Sequence, residues 1–177
     1  VINHADSRIQ RALNRVPVPY PLTLDSLFAV IRDLYPRPLK LLRGAPPVKG
    51  LRANGLWLTR PHADSDAMWI APELTGAAAV HSLAHEAGHF LLGHEPVEIS
   101  EPAPEPDTEF QFLSSAFLTG CLLGRARAQD GPHDPEHVQI EDQAERFAFA
   151  LRRKATELAR ENRHRGDDLL DRLHHSL

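Results

Sequence analysis

Residues 75–94, "TGAAAVHSLAHEAGHFLLGH", read as a helix that is apolar nearly all the way round yet carries His85, Glu86 and His89 in its middle. Val80, Leu83, Ala84, Ala87, Leu91 and Leu92 supply the apolar positions, no proline interrupts them, and Thr75 is placed to cap the start. A helix of this kind is stable only when other elements cover it. Buried imidazoles and a buried carboxylate are costly unless they find partners. The fold must therefore wrap this helix and bring polar groups from elsewhere in the chain to the same place.

The remaining segments suggest what does the wrapping. Residues 3–15 predict a short helix with Ile9, Leu13 and Val16 on one face, ended by "VPVPYP" (16–21). A second helix is expected over 23–35. Thr23 is its N-cap, Leu24, Leu27, Phe28, Ile31 and Leu34 form its apolar stripe, and Pro36 stops it. Strands are expected at 38–44 and 66–72. Between them, "GLRANGLWLTR" (50–60) reads as a hairpin turning at Asn54-Gly55. Trp57 and Trp69 alternate with apolar neighbours, as sheet-core residues do.

Beyond the motif helix, 95–109 is acidic and proline-rich, which predicts an extended loop, and 110–128 is apolar enough for a buried helix. A long helix follows over 134–165, with Asp134 as N-cap and Pro135 in the first helical position. Gly166 is expected to break it, leaving 166–177 as a terminal amphipathic tail. The class expected is α+β: one domain over 1–177, with a small, mostly antiparallel sheet packed on helices and 95–133 as a loop or helix insertion.

Composition excludes several alternatives. Of 177 residues, 42% are hydrophobic and 25% charged, as in ordinary globular chains. A net charge of -4 provides no global basic field, so direct nucleic-acid binding is not expected. The basic run 151–165 reads first as a solvated helix face. Cys121 is the single cysteine, which rules out an internal disulfide and a multi-cysteine zinc site; it reads as inert core. No apolar run approaches the ~20 residues of a membrane span and no signal-peptide core is visible, so a cytoplasmic protein is expected.

The motif itself has a chemical reading. Side chains at i and i+4 share a helix face, so His85 and His89 can each aim a ring nitrogen at one divalent ion. Glu86 is rotated roughly 100° away. It can flank the ion without ligating it and act as a base on water, the arrangement used in metalloprotease chemistry. The alternative is a histidine-bearing surface helix, which the apolar context disfavours.

A catalytic zinc site wants a third protein ligand and an open fourth position. A histidine at metzincin spacing would need glycine at position 92 and histidine at 95, where this chain has Leu92 and Glu95. His94 reads as a helix C-terminal residue favoured by the dipole. The better candidate is Glu141 in "IEDQAERFAFALRR" (140–153), with Glu145 one turn on positioned to accept the N–H of a ligating histidine. Both share a face with Ala144 and Ala148, small residues that permit close approach to the motif helix. His81 and His137 are further candidates for the pocket, at its rim and as a stabilising group respectively; ordinary surface histidines are the bland reading of both.

The two blocks "HEAGHFLLGH" and "EDQAERFAFAL" together resemble the ImmA/IrrE-type metallopeptidases, whose pattern is HE-x-GH with an apolar tail and a histidine, then E-x-x-A-(D/N)-x-FA-x-x-L. The resemblance covers about 25 residues, in the same order. It implies a zincin-like gluzincin fold in which His85, His89 and Glu141 bind one Zn2+ and Glu86 is the base. It also implies cleavage of a helix-turn-helix repressor in transcriptional or stress control. Two alternatives stand beside it: a non-catalytic protein of the same fold that binds a regulator, and, more weakly, a DNA-binding role for 151–165.

Overall fold

The computed structural model describes residues 4–47, 53–59, 63–98, 123–125 and 135–174. Its first two helices follow their sequence signals closely. Helix α1 (His4–Arg15) buries Ile9, Ala12 and Leu13, with Val16 just past its end. Helix α2 (Leu24–Leu34) starts at Thr23, whose hydroxyl accepts the Ser26 N–H while the Ser26 hydroxyl oxygen accepts the Thr23 N–H. This reciprocal cap satisfies two backbone donors that would otherwise lack partners. Tyr35 turns extended ahead of Pro36, as a residue before proline prefers.

Five strands form one sheet: β1 (Leu39–Leu42), β2 (Gly55–Thr59), β3 (Asp66–Ile70), β4 (Val97–Glu98) and β5 (Leu123–Arg125), in the order β1-β3-β2-β5-β4. β1 runs parallel to β3 with Leu39 opposite Asp66, and the other three ladders are antiparallel. Side chains alternate across the sheet. Trp57, Met68 and Ile70 face the helices, while Leu56, Leu58, Ala67 and Trp69 build a second cluster on the opposite face. Both tryptophans are buried in the sheet core, as their pattern predicts.

Three expectations need correction. Asn54-Gly55 is not a hairpin turn: Gly55 is the first residue of β2, paired with Ile70, and the β2–β3 connection lies further along the chain. The glycine meets a different demand. A Cβ there would sit 2.6 Å from Ser82 Oγ and 2.9 Å from Glu86 Oε1, so the strand's approach to the motif helix requires its absence. Second, residues 123–125, read as part of a buried helix, are strand β5, and 97–98 are strand β4, so both belong to the sheet. A short apolar run does not distinguish strand from helix by periodicity. The remainder of 99–134, with Cys121 and Asp134, lies outside the described residues. Third, the last helix does not break at Gly166.

Helix α3 (Gly76–Leu92) is the motif helix. Thr75 takes the N-cap position, though its side chain makes no capping hydrogen bond, and Gly93 ends the helix in the left-handed region with φ 69°. Helix α4 (Pro135–His174) continues through Gly166 for 40 residues. One interior glycine costs only about 1 kcal/mol relative to alanine, too little to stop it. α3 crosses α4 at Gly88, where a Cβ would lie 3.1 Å from Phe147 Cδ1 and 3.3 Å from the Ala144 carbonyl oxygen. Ala144, Phe147, Ala148 and Leu151 are fully buried in this contact. Among the described residues no helix is long and apolar enough to cross a membrane.

Candidate metal centre

The close α3–α4 crossing sets three ligand-type side chains around one point. His85 Nε2 lies 3.2 Å from His89 Nε2 and 3.2 Å from Glu141 Oε2, and His89 Nε2 lies 3.5 Å from Glu141 Oε1. Bonds of ~2.0–2.1 Å at tetrahedral angles separate neighbouring donor atoms by about 3.3–3.4 Å. The separations are close to that spacing, with Glu141 presenting a different carboxylate oxygen to each histidine. His85 and His89 are buried, and the Glu141 carboxylate is largely so. Glu141 Oε1 is a buried atom without a hydrogen-bond partner among the described residues, which a cation in the triangle would supply.

Protonation states argue in the same direction. His85 Nδ1 is 3.1 Å from Glu145 Oε2 and its Nε2 is 3.2 Å from Glu141 Oε2, so each ring nitrogen faces a carboxylate; with a cation in the triangle, Nδ1–H would donate to Glu145 and Nε2 would face the ion. The second arm was not expected from the sequence. His94, expected at the end of the helix, lies beyond Gly93, buried, with Nδ1 3.0 Å from His89 Nδ1 and Nε2 3.3 Å from Gln143 Oε1. The Gln143 carbonyl oxygen accepts from His94 Nε2–H, leaving His94 Nδ1 to accept from His89 Nδ1–H. His89 Nε2 is then the nitrogen turned toward His85 Nε2 and Glu141 Oε1. In the metal-free chain imidazole protons meet the Glu141 carboxylate at these distances, and a divalent cation would take their place.

Glu141 responds to this setting. Burial alone would raise its pKa, but the hydrogen bond with His85 and the fields of His89, His85 and His137 outweigh it and hold the carboxyl down at about 2. It is therefore ionised, as a metal ligand must be, throughout the neutral range. His137 sits half-buried one turn earlier on α4. It contributes that field but does not line the cleft described below.

Glu86 stands beside the triangle rather than in it. Its buried carboxylate is fixed from the sheet, with Oε2 accepting the Trp57 backbone N–H at 2.9 Å. A cleft of about 420 Å³ opens over His85 and Glu86, walled by Leu74, Ala77, Ala78 and Phe149. His81 lines the same cleft, 3.1 Å from Glu145 Oε1, so Glu145 ties together two histidines on successive turns of α3. Tyr35 is not in the site. It donates to Asp66 Oδ2 at 2.7 Å and accepts from Trp57 Nε1 at 3.0 Å, and burial together with the Asp66 bond pushes its phenol pKa up.

The chain matches no protein-family model, no curated protein and no solved structure. Its own geometry defines an α+β protein in which His85, His89 and Glu141 can hold a metal ion, with a carboxylate beside them at the floor of a cleft.

Proposed function

We propose that the chain is a zinc-dependent endopeptidase. The observation that carries this reading is the convergence of His85, His89 and Glu141 on one point, with Glu86 adjacent but outside the ligand set. Two imidazoles and one carboxylate suit Zn2+ and leave a fourth position open. A zinc ion, when bound, supplies a Lewis acid that acidifies water and polarises a carbonyl. Glu86 serves as general base: held by the Trp57 amide, its carboxylate takes the proton of the attacking water and delivers it to the departing amine nitrogen. Glu145 and the His94–Gln143 pair hold the two ligand imidazoles in the tautomer that faces the ion.

The two sequence blocks resemble ImmA/IrrE-type peptidases, and on that resemblance the fold is zincin-like and the substrate is a helix-turn-helix repressor of the cytoplasm. Metal analysis of the purified protein is expected to find about one zinc per chain. Glu86→Gln is expected to retain that zinc while losing cleavage of the partner repressor by roughly two orders of magnitude or more. Equal processing by this variant, or a wild-type chain that takes up no zinc, would sink the proposal.

A further inference from the structure

The cleft over Glu86 continues into a second, larger groove of about 1120 Å³, with Leu74, Ala77, Phe149 and Arg152 lining both. That volume is beyond the ~300–1,000 Å³ of small-molecule sites and suits an extended chain. The groove runs between the segment leading into α2, the first turn of α3 and the face of α4 from Phe149 to Arg163. Tyr20 and Phe149 stand along it, 58% and 57% exposed, two of the three large apolar side chains left open to solvent among the described residues. Apolar side chains gathered at a polar-rimmed groove mark an interaction surface.

Its charge is predominantly positive. Arg43, Arg152, Arg153 and Arg163 line the groove, against Asp25 as the single acidic lining residue among the described residues. Arg43 is held by the carbonyl oxygens of Pro72 and Leu74, neutral groups, and has no carboxylate in ion-pair distance among the described residues, while Arg153 has Glu157 at 3.7 Å. The first turn of α3 adds to this potential: it faces the groove with no acidic residue and no side-chain cap on Thr75.

We infer that this groove docks an acidic segment of the substrate protein, one that alternates carboxylates with large apolar side chains, and leads it to the cleft over Glu86. Apolar side chains lie against Tyr20, Phe149 and Leu74, and carboxylates meet Arg152 and Arg163. The arginines on α4 are interleaved with Glu157 and Glu161, and the whole chain carries a net charge of -4. That pattern suits discrete carboxylates on a peptide better than the dense charge of a duplex. The inference rests on the peptidase reading only for what happens at the groove's end, not for binding itself.

The test is fluorescence anisotropy on the full chain carrying Glu86→Gln, with a labelled peptide of repeated Leu-Glu-Gly units and its Leu-Lys-Gly and Ser-Glu-Gly counterparts. The Leu-Glu-Gly peptide is expected to bind at least about tenfold more tightly than either counterpart and to weaken steeply with salt. Arg163→Glu, at an exposed position where folding is not at stake, is expected to weaken it severalfold, and Arg152→Glu with Arg163→Glu by about tenfold or more. No detectable binding, equal binding of the lysine peptide, indifference to both substitutions, or displacement by duplex DNA at comparable concentration would each overturn the inference. Zinc content is measured on the same samples. A groove that binds without zinc undermines only the peptidase reading, and zinc without peptide binding undermines only the groove.

Discussion

His94 decides which nitrogen of His89 faces the triangle. With Nδ1 of His89 donating to His94, and His94 donating to Gln143, the nitrogen of His89 turned to His85 and Glu141 is Nε2. Glu145 does the same for His85. Removing such a supporting partner typically lowers metal affinity 10–100-fold. His94→Ala is therefore expected to weaken zinc binding by roughly 10–100-fold in a chelator competition, with the far-UV circular dichroism of the protein unchanged. Unaltered affinity would show that His94 is only filler between α3 and α4. The sequence did contain a signal for this residue. A histidine five positions after His89 is out of reach while the helix continues, but Gly93 can adopt φ > 0 and turn the chain back, and His94 follows it directly.

Elements were legible where local chemistry alone decides them. The Thr23 cap, the Pro36 stop, the apolar stripes of α1 and α2 and the Pro135 start of α4 all stand where propensity places them. The histidine pair was legible too, because both residues lie on one helix with fixed i, i+4 geometry, and Glu141 was singled out by the pattern of the second sequence block. What local pattern could not give was anything set by a distant neighbour. Gly55 looked like a turn because the sequence does not show that α3 presses on it, and Leu123–Arg125 looked helical because its pairing with β2 is non-local. Gly88 belongs to the same group. It lets α3 approach α4 closely enough for Glu141 to meet the histidines. Gly88→Leu would drive a side chain into the Ala144 backbone and Phe147. Overpacking of this kind costs about 1–3 kcal/mol. A lower denaturation midpoint together with lost zinc affinity is expected; retention of wild-type zinc affinity would mean that the crossing does not set the site.

At the scale of the whole molecule, α4 acts as the spine that couples stability to the site. It packs along α3, is tied to α1 by the Arg146–Asp6 ion pair and by Lys154 donating to the Leu13 carbonyl, and carries Glu141, Gln143 and Glu145. Metal that binds the folded chain and not the unfolded one raises stability by mass action, so zinc loading is expected to raise the thermal midpoint. Acid removes the two contributions at different pH. Imidazoles take up protons well above the carboxylate range, so metal-dependent stability is lost first on acidification. Glu141 comes later. Its pKa is lower in the folded chain, about 2 against an ordinary 4.5, so its contribution is complete above 4.5 and is lost as pH falls toward 2. In chelator-treated protein, the urea midpoint is therefore expected to fall across that window. Glu141→Gln should flatten this part of the curve, because an amide does not titrate. A metal-free wild type and Glu141→Gln with parallel profiles between pH 4.5 and 2 would show that the His85 and His89 fields do not act on Glu141 as the geometry requires.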